Sequence, residues 1–236
     1  MASNSSRISR QEEVNELFEQ LGKKLAKTIP ILVIGGAAMM EYRLKDSTKD
    51  IDIVCRHEED KEEILRCARE LGYELVWPEE RHVRLGLNRI AIKGGHTLDV
   101  FADKISYDFG LSEAMWERAR RLRAFGNADL RYASPEDIFI MKLIANRPGD
   151  APDCVALVST GLDFDAIYEE IKSQYSKYAE QDKQKIWITY VEEGIARLED
   201  QGLTIPIGDK ISLLAFEYNE KFWKDSPKPA SRTENV

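Results

Sequence analysis

Ile31-Leu-Val-Ile34-Gly35-Gly36-Ala-Ala-Met-Met-Glu41-Tyr-Arg43-Leu-Lys-Asp-Ser-Thr48-Lys49-Asp50-Ile51-Asp52-Ile53-Val-Cys55 is the stretch on which the fold turns. Its first four residues are apolar and rich in β-branched side chains, which reads as a buried strand. The strand ends on Gly35 and Gly36. From Ala37 to Leu44 the composition is helical, so the two glycines fall at a strand-to-helix turn, where the missing side chains let a ligand approach backbone N–H groups. Such a turn suits phosphates.

After Gly36 and thirteen further residues comes Asp50-Ile51-Asp52-Ile53. Side chains alternate along a strand, so the two carboxylates share one face and the two isoleucines the other. Carboxylates held side by side repel unless a proton or a divalent cation sits between them. Thr97-Leu98-Asp99-Val100-Phe101 offers a third, with Asp99 the single charge in a strand-like run. A Gly-Gly pair alone is usually a turn, and an isolated Asp-x-Asp is usually a solvated strand face. Together, in this order, they fit a magnesium-dependent phosphoryl or nucleotidyl transfer site.

Gly35-Gly36, the spacer, Asp50-Ile-Asp52-Ile and Leu98-Asp99-Val resemble the signature of the nucleotidyltransferase superfamily related to DNA polymerase beta. Within that superfamily, Thr48-Lys49-Asp50-Ile-Asp52 is similar to the abortive-infection type E toxins and their small prokaryotic relatives. So is the later series of Ser134-Pro-Glu-Asp137, Lys142, Ala145, Arg147-Pro-Gly-Asp150 and Asp153. The similarity runs from about residue 31 to 160. It implies an α/β (α+β) fold: a minimal nucleotidyltransferase mixed sheet flanked by helices, followed by a C-terminal helical lobe. It also implies an NTP substrate and Mg2+ or Mn2+ held by Asp50, Asp52 and Asp99. Gly35, Gly36, Thr48 and Lys49 would meet the nucleotide, and Lys142 would join the aspartates in catalysis. The acceptor stays open. The toxin-like wording points to tRNA and an antitoxin partner. Small hydroxylated acceptors such as aminoglycosides occur on the same fold, and a non-catalytic nucleotide-binding or scaffold protein is the alternative from another class.

At 236 residues the chain has length enough to bury a core without staples. The expected division is a core at 1–133 with an N-terminal helix, a helical lobe at 134–225 and a loose tail at 226–236. Cys55, Cys67 and Cys154 form no metal-ligand spacing, and with His57, His82 and His96 scattered, no zinc site is expected. Reduced cysteines and the lack of a signal pattern point to the cytoplasm. No apolar run is long enough to span a bilayer. The net charge of −8 argues against a surface that grips nucleic acid broadly, and it suits a cationic acceptor.

Along the rest of the chain, Ser9 to Glu12 reads as a capping box ahead of a helix that carries Val14, Leu17, Phe18, Leu21 and Leu25. Glu58 to Leu71 is an amphipathic helix ended by Gly72. Tyr73 to Trp77, Val83 to Leu87 and Arg89 to Ile92 read as strands. Arg118, Arg120, Arg121 and Arg123 fall in one stretch, 111–123, open to two readings: a solvated helix face paired with surplus acids, or a contact to triphosphate or acceptor RNA. Ser134-Pro135-Glu136-Asp137 is a helix start. The helix it begins is apolar on nearly every side except for Lys142, which must snorkel, pair with Asp150 or Asp153, or face a polar site. Asp150 is also placed to cap the next helix. From Asp163 onward the pattern is helical, and its aromatics are read as packing.

Overall fold

The computed structural model describes residues 11–77, 89–147, 149–179 and 185–222. Helix α1 (Gln11–Lys24) has acidic residues in its first turn and lysines in its last, both favourable to the helix dipole. Its apolar stripe, Val14, Leu17, Phe18 and Leu21, is buried. Strand β1 (Ile29–Ile34) runs straight into α2 (Gly35–Glu41), so the helix begins on the glycines themselves rather than after them. Next come β2 (Asp50–Cys55) and α3 (Glu58–Glu70), and Gly72 follows α3 with φ +88°. Three strands carry the chain onward: β3 (Glu74–Val76), β4 (Ile90–Lys93) and β5 (His96–Ala102). The strand expected at Val83 to Leu87 lies outside the described residues, as do Ser9 of the capping box and both expected loose ends.

A tight excursion, β6 (Lys104–Ile105) and β7 (Phe109–Gly110), precedes the short α4 (Glu113–Arg118). The reading of 111–123 as one arginine-bearing helix is corrected here. The helix stops at Arg118, Ala119 is extended (φ −64°, ψ 131°), and Arg120–Phe125 is strand β8. Strand β9 (Ala128–Tyr132) completes the sheet, whose order is β3-β4-β5-β2-β1-β9-β8. Pairing is parallel for β2 with β5 and for β1 with β9, and antiparallel elsewhere along that order. The sheet is therefore mixed. In β2 the isoleucines are buried and the aspartates only partly so, as strand alternation requires.

Every described element from Pro135 on is a helix: α5 (Pro135–Ala145), α6 (Asp150–Val158), α7 (Phe164–Ala179), α8 (Trp187–Asp200) and α9 (Gly208–Phe222). Helix α5 is the hub, packing on α2, α6, α7 and α8. Ser134 caps it by accepting the Asp137 N–H at 3.2 Å, and Pro135 sits in the first turn. A second clamp lies beside that cap. Arg118 donates to the fully buried Asp137 at 2.6 Å and to Glu170 of α7 at 2.7 Å. For Arg118, pairing with acids is thus the reading the structure bears out. Helix α5 ends where Asn146 turns left-handed (φ 46°), delivering Arg147 to the loop beyond.

Candidate active site

Strand register builds the site. Asp52 faces Asp99 across the parallel β2–β5 pair, and Asp50 faces Thr97 two residues earlier. Residues opposite one another share a sheet face, so Asp50, Asp52 and Asp99 form one acidic patch. The Thr97 hydroxyl donates to Asp50 Oδ1 at 3.0 Å. Asp99 is only 5% exposed, and its Oδ1 is buried with no hydrogen-bond partner among the described residues.

Gly35 lies directly against this patch. Its φ is +61°, and a Cβ there would come within 3.0 Å of Asp52 Oδ2, so both backbone and space demand glycine. Gly36 has no room either, because a Cβ would press on Thr48 Oγ1. Thr48 is buried and donates its hydroxyl to the Asp50 carbonyl at 2.9 Å. The structure thus gives Thr48 the part of a brace beneath the Gly-Gly turn and the start of β2. Lys49 is exposed and is not among the residues that line the cleft described next.

A shallow cleft of about 50 Å³ opens at the Asp52 edge of the patch, bounded by Gly35, Asp52, Lys142 and Arg147. Phe101, Ile105, Ile138 and Met141 supply an apolar wall. Burial, and then the neighbouring carboxylate charges, push Asp52 and Asp99 well above the usual carboxylate range. Arg147 opposes the shift at both.

Lys142 does not stand alone in its apolar helix. Its ammonium donates to Asp150 Oδ1 and Asp153 Oδ2, both at 2.7 Å, while Lys45 binds Asp153 from the other side at 2.7 Å. Arg147 closes the chain, with Nε at 2.9 Å from Asp150 Oδ2 and Nη2 at 3.2 Å from Asp150 Oδ1. Burial disfavours charge on Asp150 and Asp153, but their cationic partners outweigh it and hold both carboxyls below the usual range. Of the three readings open for Lys142, pairing is the one present, and with both candidate aspartates. Arg147 is the cleft residue that pattern reading left without a role, since one arginine after a helix end has no periodicity to mark it.

The acidic patch fits a divalent cation. Its donors are hard carboxylate oxygens, one of them a buried orphan. Among the described residues no three His, Cys, Asp or Glu side chains converge closely enough to hold a metal ion between them. Magnesium in phosphoryl-transfer sites takes one or two carboxylates, with water and substrate phosphates completing its shell, so an open carboxylate face meets the requirement.

A family model described as "Nucleotidyltransferase of unknown function (DUF6036)" matches residues 10–195. A search of curated proteins finds no match. Among solved structures, a crystal structure of ANT(2")-Ia in complex with adenylyl-2"-tobramycin is similar in fold, with 16% identity over 72% of this chain and 99% of that one, and a TM-score of 0.50. A solution structure of the antibiotic-resistance factor ANT(2'')-Ia gives 15% identity, 73% and 94% coverage, and a TM-score of 0.49.

Proposed function

The chain belongs to the nucleotidyltransferase family whose model spans residues 10–195, and from that premise we propose that it transfers a nucleoside monophosphate from an NTP to an acceptor hydroxyl. The observation that carries this reading is the side-by-side register of Asp52 and Asp99, with Asp50 on the same face and Gly35 against Asp52.

In the proposed reaction the acceptor oxygen bonds to the α-phosphorus, the bond from that phosphorus to the bridging oxygen breaks, and pyrophosphate leaves with the electron pair. Asp50, Asp52 and Asp99 would hold Mg2+ or Mn2+, which would supply positive charge to offset that of the triphosphate. Asp99, opposite Asp52 on the same sheet face, would orient the acceptor hydroxyl and take its proton in its ionised form. Gly35 and Gly36 let the phosphates approach the backbone, Thr48 braces that turn, and Lys49, exposed beside Asp50, would reach the nucleotide only from outside the cleft. Lys142, which lines the cleft while clamped by Asp150 and Asp153, would serve catalysis by holding the positive edge of the cleft in place.

For the acceptor, the Thr48–Asp52 and Lys142–Asp153 wording supports a tRNA end, and with it a toxin restrained by an antitoxin protein. The net charge of −8 favours the second reading, a cationic hydroxylated small molecule. The test supplies each α-labelled NTP with Mg2+ or Mn2+ and separate pools of tRNA, aminoglycosides and protein alone. Label in the tRNA pool that vanishes with Asp50→Asn supports the first acceptor, and label in the aminoglycoside pool the second. NTP binding without transfer to any pool supports a non-catalytic nucleotide-binding protein instead.

A further inference from the structure

Three carboxylates on one sheet face repel a triphosphate as strongly as they attract a cation, so the site needs a positive group with donors to spare. Lys142 is poorly suited. Its side chain is 7% exposed and its ammonium is shared by two carboxylates at 2.7 Å. Arg147 differs on each count. Its side chain is 53% exposed, it borders the cleft beside Gly35 and Asp52, and its charge bears on Asp50, Asp52 and Asp99.

The way Arg147 is held matters as much as where it lies. Asp150 takes one edge of the guanidinium, Nε and Nη2, and its Oδ2 also accepts the Arg147 backbone N–H at 3.2 Å. No described residue accepts from Nη1, so one face of the fork is fixed and the other is free. A planar fork with one edge anchored is pre-organised to bind phosphate oxygens with little further loss of freedom. Behind it, Lys45, Asp153, Lys142, Asp150 and Arg147 alternate in sign, leaving one net positive charge over the five.

We infer that Arg147 is the residue that grips the β- and γ-phosphates of the NTP, that Asp150 is the positioning residue that aims it, and that Lys142 acts through Asp150 rather than on the substrate. The inference rests on the nucleotidyl-transfer reading above. It assigns the phosphate contact to the loop after α5, not to the lysine within α5.

The test measures dissociation constants of the full chain for ATP, GTP, CTP and UTP, and for the di- and monophosphates of whichever binds best, all with Mg2+. Wild type should bind tri- over di- over monophosphate. Arg147→Ala should weaken triphosphate binding by about 10- to 100-fold, the scale of lost charge-assisted hydrogen bonds, and leave monophosphate binding unchanged. Arg147→Lys should recover only part, since a point charge lacks the fork. Asp150→Asn should flatten the same ladder, and combined with Arg147→Ala it should add nothing, while retained monophosphate binding in each variant shows that the fold survives. Arg147→Ala binding triphosphate as tightly as wild type would overturn the inference while leaving the transferase reading intact. Wild-type protein that binds no nucleotide would overturn both.

Discussion

At Asp99 the fold buries a carboxylate beside two others and leaves one of its oxygens without a partner, an arrangement that costs stability until something positive arrives. Because Asp52 and Asp99 bind protons more tightly in the folded than in the unfolded chain, the folded state holds the excess of protons, and stability falls as pH rises. The fall starts near the unfolded carboxylate range, about pH 4, and continues through the raised folded range. Thermal unfolding in EDTA should therefore show a melting temperature that declines from pH 5 to pH 8. Asp99→Asn should flatten that decline and gain about 1 kcal/mol at pH 8, or roughly 2–4 °C, while cutting transfer by at least about 100-fold. A decline of equal slope in the variant would show that Asp99 is not its source. Gly35→Ala should lose about 1–3 kcal/mol, because the new methyl group meets both a left-handed backbone and the Asp52 carboxylate, and denaturant unfolding would measure it. At this scale the strand placement of Asp50, Asp52 and Asp99 was legible, since strand alternation and a lone charge in an apolar run each leave a local mark. The setting of Arg147 was not, because it comes from the left-handed turn at Asn146 and from Asp150 three residues on, neither of which has a period.

Helix α5 is the element that joins the sheet to the helices after it, and its N-terminus bears two devices. Ser134→Ala removes the cap and should cost about 1 kcal/mol. Arg118→Ala strands Asp137 and Glu170, 0% and 5% exposed, without their cation, and should cost about 3 kcal/mol by the same chemical denaturation. Equal losses from the two would mean that the ion pairs contribute no more than the cap. The cap was readable from Ser-Pro-Glu-Asp because its residues are contiguous. Helices α3, α7, α8 and α9 were equally plain, each with apolar residues at helical spacing. The break at Ala119 was hidden because arginine is tolerated in helix and strand alike, so 111–123 carried no switch of period to mark where α4 stops and β8 starts.

Over the whole molecule, a mixed sheet supplies the acidic face and the helices from Pro135 on supply the cations opposite it, so the cleft belongs to both. No described helix is long and apolar enough to cross a membrane. Sheet order was beyond the sequence, since nothing local tells β5 to lie parallel to β2 with Asp99 opposite Asp52. That register is what brings three scattered aspartates onto one sheet face. The measurement that tests the central claim most directly is a paired transfer assay with Mg2+, the acceptor pools and NTP labelled either at the α- or at the γ-phosphorus. The account predicts that α-label reaches the acceptor, that γ-label leaves as pyrophosphate, and that Asp52→Asn abolishes both. Label moving from the γ-position to the acceptor, or transfer that survives Asp52→Asn, would contradict it.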